Sequence, residues 1–444
     1  MKKIIMLLTC AVFAGNLASG HPAHGEMRKG PYTLSEAVEY ALENNPGLAA
    51  SRIDIEIENY DIDEARGGRL PSLNLIGSTT GSRYDLPVLP ITGSPFEGGF
   101  PEFDNPVYEI GVSFNLPVYM GGRLHRQVKI AEISKSIAED GLTFDRQELV
   151  FNVTSIYYRI LELERVLDAS GERVSQLETH KKDVELFLKA GNVPRVDLLN
   201  TETGLAHARY SALIVKHNLE SARELLKNFM GIEDPDAEIS VLPEIMKRTY
   251  PDIQESREKA FSLRPDYRVV LKKQKMAAER VGLMSGERLP SVNLYGEYTG
   301  NSGNDFNFRE DWLVSLRLTM PIFDGGVTKT RINRERKKLE KIKEEERAVR
   351  LKILREIKDA HLGIDNARER MEVLTKAIET AEETLRIERL KYGAGAGTST
   401  DVIDAQTALL RARVEYYQGI YDKDIAIAAL DKAIGRDRYK EVSE

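Results

Sequence analysis

Histidines are the side chains of this chain with the widest range of chemistry, and they are scattered along it. No pair has the H-E-x-x-H spacing of a metalloprotease, and no nucleophile, base and carboxylate form a recognisable catalytic motif. His21 and His24 stand close together, and two interpretations stay open for them: a metal-binding pair or an ordinary polar tail. These patterns do not support an enzyme, and no cofactor is predicted. The seven histidines are His21, His24, His125, His180, His207, His217 and His361.

A glycine-rich run over Gly393–Gly397 invites comparison with a phosphate-binding loop. Such a loop is followed by Lys and then Ser or Thr, and a strand precedes it. Here the Lys-Ser/Thr pair is missing and the preceding residues have a helical pattern. We therefore predict a turn between two helices.

Aspartates follow this turn and an earlier one that begins at Gly191. Asp197 comes after Pro194, and Asp401 and Asp404 come after the later turn. A carboxylate at a helix start can accept hydrogen bonds from free backbone amides. It can instead face a pore, where clustered carboxylates concentrate cations. Both interpretations stay open for Asp197 and Asp401, whereas Asp404 lies inside the predicted helix, which favours the pore.

The composition is typical of a helix-rich protein, with 41% hydrophobic and 30% charged residues. A net charge of −7 implies no dominant basic face, which argues against a nucleic-acid partner. Cys10 is the only cysteine, so an intramolecular disulfide is excluded. No run of about 18 apolar residues follows the start of the chain, so no transmembrane helix is predicted.

Residues 1–20 predict a secretory signal peptide. Lys2 and Lys3 form the basic start, Ile4–Phe13 is a short apolar segment, and Ala18–Gly20 offers a cleavage site. The alternative is that Cys10 is a lipid-attachment cysteine. Either way the chain is predicted to be exported.

The sequence contains an internal repeat. Arg69–Ser72 recurs as Arg288–Ser291, and Pro117 with its Gly-Gly turn recurs at Pro321. A period of about half the chain indicates one architecture built twice. The predicted parts are a linker over 21–32, a first repeat over 33–231, an equatorial connector over 232–252, a second repeat over 253–435 and a tail over 436–444.

Alternating apolar and polar residues predict four strands, over 72–84, 107–117, 291–299 and 311–320. An irregular loop is predicted over 85–106. Proline has no amide donor and disfavours a helical predecessor, so prolines mark the changes between helix and strand. The strands have the length and the single apolar face of membrane-spanning strands. Four strands cannot close a barrel and lipid does not tolerate an open sheet edge, so the chain must oligomerise if they span. The junction prolines are Pro71, Pro117, Pro290 and Pro321.

Two very long helical hairpins are predicted, over 123–230 and 326–434. Each begins with a helix of about 100 Å. A seven-residue apolar repeat predicts coiled-coil-like packing along them. In the second hairpin it comprises Ile357, Ile364, Met371, Ile378, Leu385 and Tyr392. In the first it is interrupted at Ser170 and Lys181.

The order and doubling of these elements resemble the TolC-like outer-membrane efflux proteins, the outer membrane factor family, over about 33–435. The residues that carry the resemblance are the two Arg-Leu-Pro-Ser segments, Pro117 and Pro321 with their Gly-Gly turns, and the tip segment Tyr392–Gln406. The resemblance implies a mainly α protein with transmembrane β structure. Three copies would form a twelve-strand barrel in the outer membrane, continued by a twelve-helix barrel through the periplasm, with two structural repeats in each copy.

The resemblance also implies a gate at the periplasmic tips of the hairpins. Gly397 stands where some members have an arginine, so the arginine–aspartate latch of those members is in question here. Arg195 is a second possible source of that charge. The implied gate and lumen residues are Asp197, Tyr392, Asp401 and Asp404. The implied adaptor contacts are Gly191, Val193, Arg195, Gly395 and Gly397.

The function implied is a passive exit duct for small molecules in the outer membrane, in contact with its lipid. A periplasmic adaptor would couple the homotrimer to an inner-membrane pump of the RND or ABC type. A duct for type I protein secretion has the same architecture and stays open as an alternative. A soluble coiled-coil scaffold is the alternative of another class.

Overall fold

The structure is a computed structural model that describes residues 31–89, 102–243 and 249–437. The predicted signal peptide, Cys10, His21, His24 and the end of the C-terminal tail lie outside the described residues. So do parts of the predicted 85–106 loop and of the 232–252 connector.

Helices make up most of the described chain, and two of them are 67 residues long. None of the described helices combines the length and the apolar composition that crossing a membrane requires. The helices are α1 (Leu34–Asn44), α2 (Pro46–Gly67), α3 (Arg123–Lys189), α4 (Arg195–Met230), α5 (Ile253–Leu263), α6 (Pro265–Ser285), α7 (Val327–Gly393) and α8 (Ser399–Ile434). Thr33 caps α1 in a capping box with Glu36.

Four strands form one antiparallel sheet in the order β1–β4–β5–β6. They are β1 (Ser72–Thr80), β4 (Val107–Met120), β5 (Ser291–Ser302) and β6 (Arg309–Thr319). Between β1 and β4, the short strands β2 (Leu86–Pro87) and β3 (Phe103–Asp104) pair with each other. Two strand ends differ from the prediction. β1 is shorter than the predicted strand over 72–84, and β5 extends three residues past the predicted end at 299.

Pro117 does not end its strand, which corrects the prediction made for this junction. The strand continues to Met120, and the register with β5 shifts between Pro117 and Tyr119. A bulge tolerates a residue that cannot donate to the ladder. Pairing of β4 with β1 has already stopped at Asn115, so no partner on that side needs the missing amide. The other three prolines do lie outside the strands, at positions 71, 290 and 321.

The sheet has two unlike faces. One row of cross-strand neighbours consists of Leu75, Val112, Tyr298 and Trp312. A row on the opposite face consists of Ser78, Glu109, Asn301 and Arg309. Apolar side chains such as Leu75, 79% exposed, stand outward on the first face. This division is typical of strands that separate lipid from water.

The helices continue the order of the strands. Next to the sheet, α2 packs on α3, α3 on α6 and α6 on α7. Farther from it the order becomes α4–α3–α8–α7. In a single chain, the sheet and the helices next to it therefore form one continuous layer. Its edge elements are β1 and α2 on one side and β6 and α7 on the other.

The two halves of the chain are built alike. Asn45, just before Pro46, donates from its side chain to the carbonyl of Phe229 at the end of α4. Arg264, just before Pro265, donates to the carbonyl of Ala433 at the end of α8. In both halves the second hairpin helix is thus tied to the break between the two short helices.

Candidate functional site at the hairpin tips

Two tight turns close the hairpins at the end far from the sheet. Gly191 follows α3 and Gly395 follows α7, with φ of 78° and 72°. Such left-handed angles cost glycine little, so these residues end the long helices without strain. Thr398 then caps α8 in a box with Asp401.

Behind the turns, three helices share a small apolar core. Val184 of α3, Leu385 and Tyr392 of α7, and Val402 of α8 are buried in it. The predicted seven-residue stripe of α7 thus ends inside this core. Because the core joins α3 to α7 and α8, it connects the first hairpin to the second.

A buried hydrogen-bond network lies beside the core. His180 Nε2 is 2.9 Å from Ser399 Oγ, and Ser399 Oγ is 2.8 Å from Thr201 Oγ1. Thr201 also donates to the carbonyl of Asp197 at 2.7 Å. Ser399 and Thr201 are fully buried. The network bridges α3, α4 and the first residue of α8, and so it links the hairpins a second time.

Tyr392 is the buried aromatic centre of the tips. Its ring lies edge-on to His180, with centroids 4.8 Å apart, and to Phe187, at 5.8 Å. Its hydroxyl is buried and has no hydrogen-bond partner among the described residues. Burial raises the pKa of Tyr392 to about 12, and the charges of Asp197 and Asp183 add to this. The hydroxyl therefore stays protonated and remains a donor for a group that reaches it.

His180 is also kept in its neutral form. Burial lowers its pKa, and the charge of Arg389 acts in the same direction. Asp183 and Asp197 act in the opposite direction but do not reverse the shift. A neutral imidazole has one donor and one acceptor nitrogen. Because Thr201 gives its hydroxyl proton to the carbonyl of Asp197, Ser399 donates to Thr201 and accepts a hydrogen bond from Nε2–H of His180.

An open groove of about 380 Å³ runs along α3 and α7 next to this network. Its charged lining residues, Asp183 and Arg389, are exposed to solvent. Its lining consists of Ser175, Gln176, Thr179, His180, Asp183, Phe187, Arg389, Tyr392 and Gly393.

The three predicted aspartates occupy different environments. Asp401 is exposed and accepts hydrogen bonds from Thr398 N at 2.9 Å and Thr398 Oγ1 at 2.7 Å, which lower its pKa. Helix capping thus accounts for Asp401. Asp197 is half-buried, in the first turn of α4, but the N-cap position belongs to Pro194. Asp404 is exposed on α8, as a lumen residue needs to be.

Close packing explains why position 397 is a glycine. A Cβ there would lie 3.1 Å from the Cβ of Lys391 and 3.2 Å from the amide nitrogen of Tyr392. A larger side chain would require the turn to move away from the end of α7. Among the described residues no ion pair joins Arg195 to an aspartate of the other hairpin. Arg195 is exposed, and so are Gly191 and Gly395, while Val193 is half-buried.

The roles of His180, Thr201 and Ser399 at the tips were not predicted from the sequence. Lys181, which interrupts the apolar repeat, is half-buried and its ammonium lies 2.8 Å from the carboxylate of Glu202 in α4 of the same hairpin. His180 lies on the neighbouring flank of α3, which faces α7 and α8. A repeat that reports packing within one hairpin does not reveal a flank buried by the other hairpin.

Comparisons with known proteins agree with this architecture. The outer membrane efflux protein family matches residues 37–232 and 257–436. Outer membrane efflux protein BepC of Brucella suis is 21% identical over 442 residues, covering 97% of this chain and 90% of the relative. Outer membrane protein OprJ of Pseudomonas aeruginosa is 23% identical over 412 residues, covering 90% and 84%. The crystal structure of the Campylobacter jejuni CmeC outer membrane channel has a TM-score of 0.78 at 18% identity, covering 92% of this chain and 88% of CmeC.

Proposed function

Because this chain belongs to the outer membrane efflux protein family, we propose that it is the outer-membrane channel of a tripartite efflux system. Family membership confirms the predicted resemblance and decides against a soluble coiled-coil scaffold. One observation carries the proposal beyond membership: a sheet with one apolar and one polar face continues directly into two helical hairpins about 100 Å long. The sheet lies in the outer membrane, and the hairpins extend into the periplasm.

The apolar face of the sheet contacts lipid. Tyr298 and Trp312 are side by side on it and are exposed in the single chain. Aromatic side chains with a polar group are common where a membrane meets water. The opposite face, with Glu109 and Arg317, lines the water-filled interior.

The channel is a homotrimer. A spanning sheet needs every backbone group paired, and here β1 and β6 each have one open edge. Three copies of the four-strand sheet give twelve strands, a number that closes a membrane barrel. The helical layer has open edges on the same sides, at α2 and α7, so the same association closes both parts.

The channel performs no chemistry of its own. Family relatives are channels, and energy for export comes from an inner-membrane pump of the RND or ABC type. A periplasmic adaptor connects the pump to the exposed turns of the tips, at Gly191, Arg195 and Gly395. Small molecules are the cargo that we propose, and the support for this is that the relative BepC is named an efflux protein.

The tips form the gate. The apolar core around Tyr392 and the network of His180, Ser399 and Thr201 hold the two hairpins of each copy together. Opening requires the hairpins to separate, which exposes the core and breaks the network. Asp404, exposed on α8, faces the mouth, where three copies of its carboxylate attract cations.

The proposal is tested by expressing the chain with its predicted signal peptide. We expect heat-modifiable trimers in the outer-membrane fraction and ion-conducting channels when the purified protein is added to planar bilayers. A deletion strain should accumulate fluorescent small molecules and should recover when the gene is restored. A water-soluble protein without channel activity would contradict the proposal.

A further inference from the structure

The two β-hairpins of the chain have identical registers. Ser72 pairs with Asn115 in the first, and Ser291 pairs with Thr319 in the second. If 219 is added to each residue number in β1 and 204 to each residue number in β4, the pairs of the first hairpin become the pairs of the second throughout their common length. The same offsets relate the helices that continue the strands. The hairpins are therefore equivalent building units.

One junction between these units lies within the chain. β4 ends the first hairpin and pairs with β5, which begins the second. The equivalent edges are β6 and β1, and both are open in a single copy. A closed ring of equivalent hairpins has one kind of junction, because unequal registers would give unequal strand offsets around the barrel.

We propose that β6 of one copy pairs with β1 of the next copy in the register that β4 makes with β5. This inference rests on the proposed trimer and adds to it the residue pairs of the interface. The pair Ser113–Glu297 within one copy corresponds to a pair between Arg317 and Ser78 of the next copy. In the same way, the pair Phe114–Gly296 corresponds to Leu318 and Gly77 of the next copy. The pair Asn115–Tyr295 corresponds to Thr319 and Ile76 of the next copy.

The register accounts for two of the most exposed apolar side chains among the described residues. Ile322 is 96% exposed and Phe323 is 90% exposed, just beyond the end of β6. In the first half the equivalent residues, Val118 and Tyr119, belong to β4, whose end pairs with the start of β5. In the assembly β6 therefore extends past Pro321, and Phe323 pairs with Leu73 of the next copy.

The helical layer follows the same equivalence. Lys272, Met276 and Glu279 of α6 all contact α3, through Ser136, Ser134 and Arg126. Their equivalents on α2 are Ile53, Ile57 and Tyr60, which form an exposed stripe on the side away from α3. In the assembly this apolar stripe packs on α7 of the next copy. Tyr60, 74% exposed in one copy, then lies near Thr330 and Asn333.

A pair of glycines marks the same contact. A Cβ on Gly121 would lie 2.3 Å from the carbonyl oxygen of Gly286, so these backbones touch. The equivalent residues, Gly325 and Gly67, have no atom near the Cβ position in one copy. The proposed interface brings Gly325 against Gly67 of the next copy.

Cysteine cross-linking tests the register. The only natural cysteine, Cys10, lies in the predicted signal, so introduced cysteines are the only ones in the processed chain. The variant with Arg317→Cys and Ser78→Cys should form covalent trimers on oxidation, because directly opposite residues lie within disulfide range. The matched control carries Arg317→Cys and Thr80→Cys. It places the second cysteine on the same face two residues away, beyond that range.

The outcomes separate the register from the function. Covalent trimers from the first variant alone support the proposal. Cross-linking by the control instead, in a protein that is trimeric and conducts, overturns the register and leaves the channel intact. A monomeric protein without conductance contradicts the proposed function itself.

Glycine variants give a second test that needs no oxidation. Gly325→Ala and Gly326→Ala place a side chain at neighbouring positions with φ of 65° and 84°, and neither Cβ meets an atom within one copy. The backbone strain is therefore similar in both. Only Gly325→Ala should markedly lower the temperature at which the trimer dissociates in detergent. Equal dissociation temperatures for the two variants would contradict the contact with Gly67.

Discussion

Ser399→Ala tests whether the buried network holds the gate closed. The change removes one hydroxyl at the first residue of α8 and leaves the apolar core of the tips unchanged. His180 Nε2 loses the partner it had at 2.9 Å, while Thr201 keeps its bond to the carbonyl of Asp197. The perturbation therefore leaves one buried polar atom unsatisfied.

Leaving a buried acceptor or donor unpaired costs about 1–3 kcal/mol. Opening the tips exposes His180 to water, so the open state does not carry this cost. A free-energy change of 1.4 kcal/mol is about a factor of ten in an equilibrium constant. We expect the open-to-closed ratio of one copy to rise about 5- to 150-fold, and more if the three copies open together.

Single-channel recording in planar bilayers measures this ratio directly. Ser399→Ala should raise the open probability at neutral pH, and cells that carry it should become more sensitive to large antibiotics. Thr400→Ala is the matched control, since it removes a hydroxyl from the next residue, which is exposed. If both variants conduct like the unaltered protein, the network does not stabilise the closed tips.

Further predictions concern pH, selectivity and folding. Because burial lowers the pKa of His180, the open state binds the proton more readily, so the closed state loses stability as the pH falls below the ordinary histidine value of 6.5. Open probability should rise on acidification, and His180→Gln should abolish that dependence. Asp404→Asn should reduce cation selectivity, and an unchanged reversal potential in a salt gradient would argue against a lumen position. Arg264→Ala removes a buried guanidinium that bonds two carboxylates and the carbonyl of Ala433, so it should cost about 3–5 kcal/mol of stability. Thermal unfolding measures that loss against Arg355→Ala, an exposed control that should change little.

Much of the fold could be predicted because it depends on short-range periodicity. Alternation in steps of two located the strands, and a seven-residue repeat located the helices, including the stripe that ends at Tyr392. The doubled Arg-Leu-Pro-Ser segment revealed two halves. Strand ends were less well predicted, above all at Pro117, where the strand continues through a bulge because pairing with β5 goes on to Met120.

The site could be predicted only where a single turn defines it. The glycine turns and the aspartates that follow them are local features, and the sequence placed them at the tips. It left the role of Asp401 open between capping and the pore. In the structure the carboxylate of Asp401 accepts hydrogen bonds from Thr398, three residues away, whereas Asp404 is exposed one turn farther along the helix.

By itself the sequence determined that this chain has two equivalent halves, strands with one apolar face and long helical hairpins. These properties follow from neighbours along the chain, because side-chain direction repeats with the period of each element. Only the tertiary structure decided what joins the halves at the tips. His180 and Ser399 lie 219 residues apart, and each is ordinary in its own segment. Their contact exists because the second hairpin covers a flank of α3 that no periodicity within the first hairpin marks as buried.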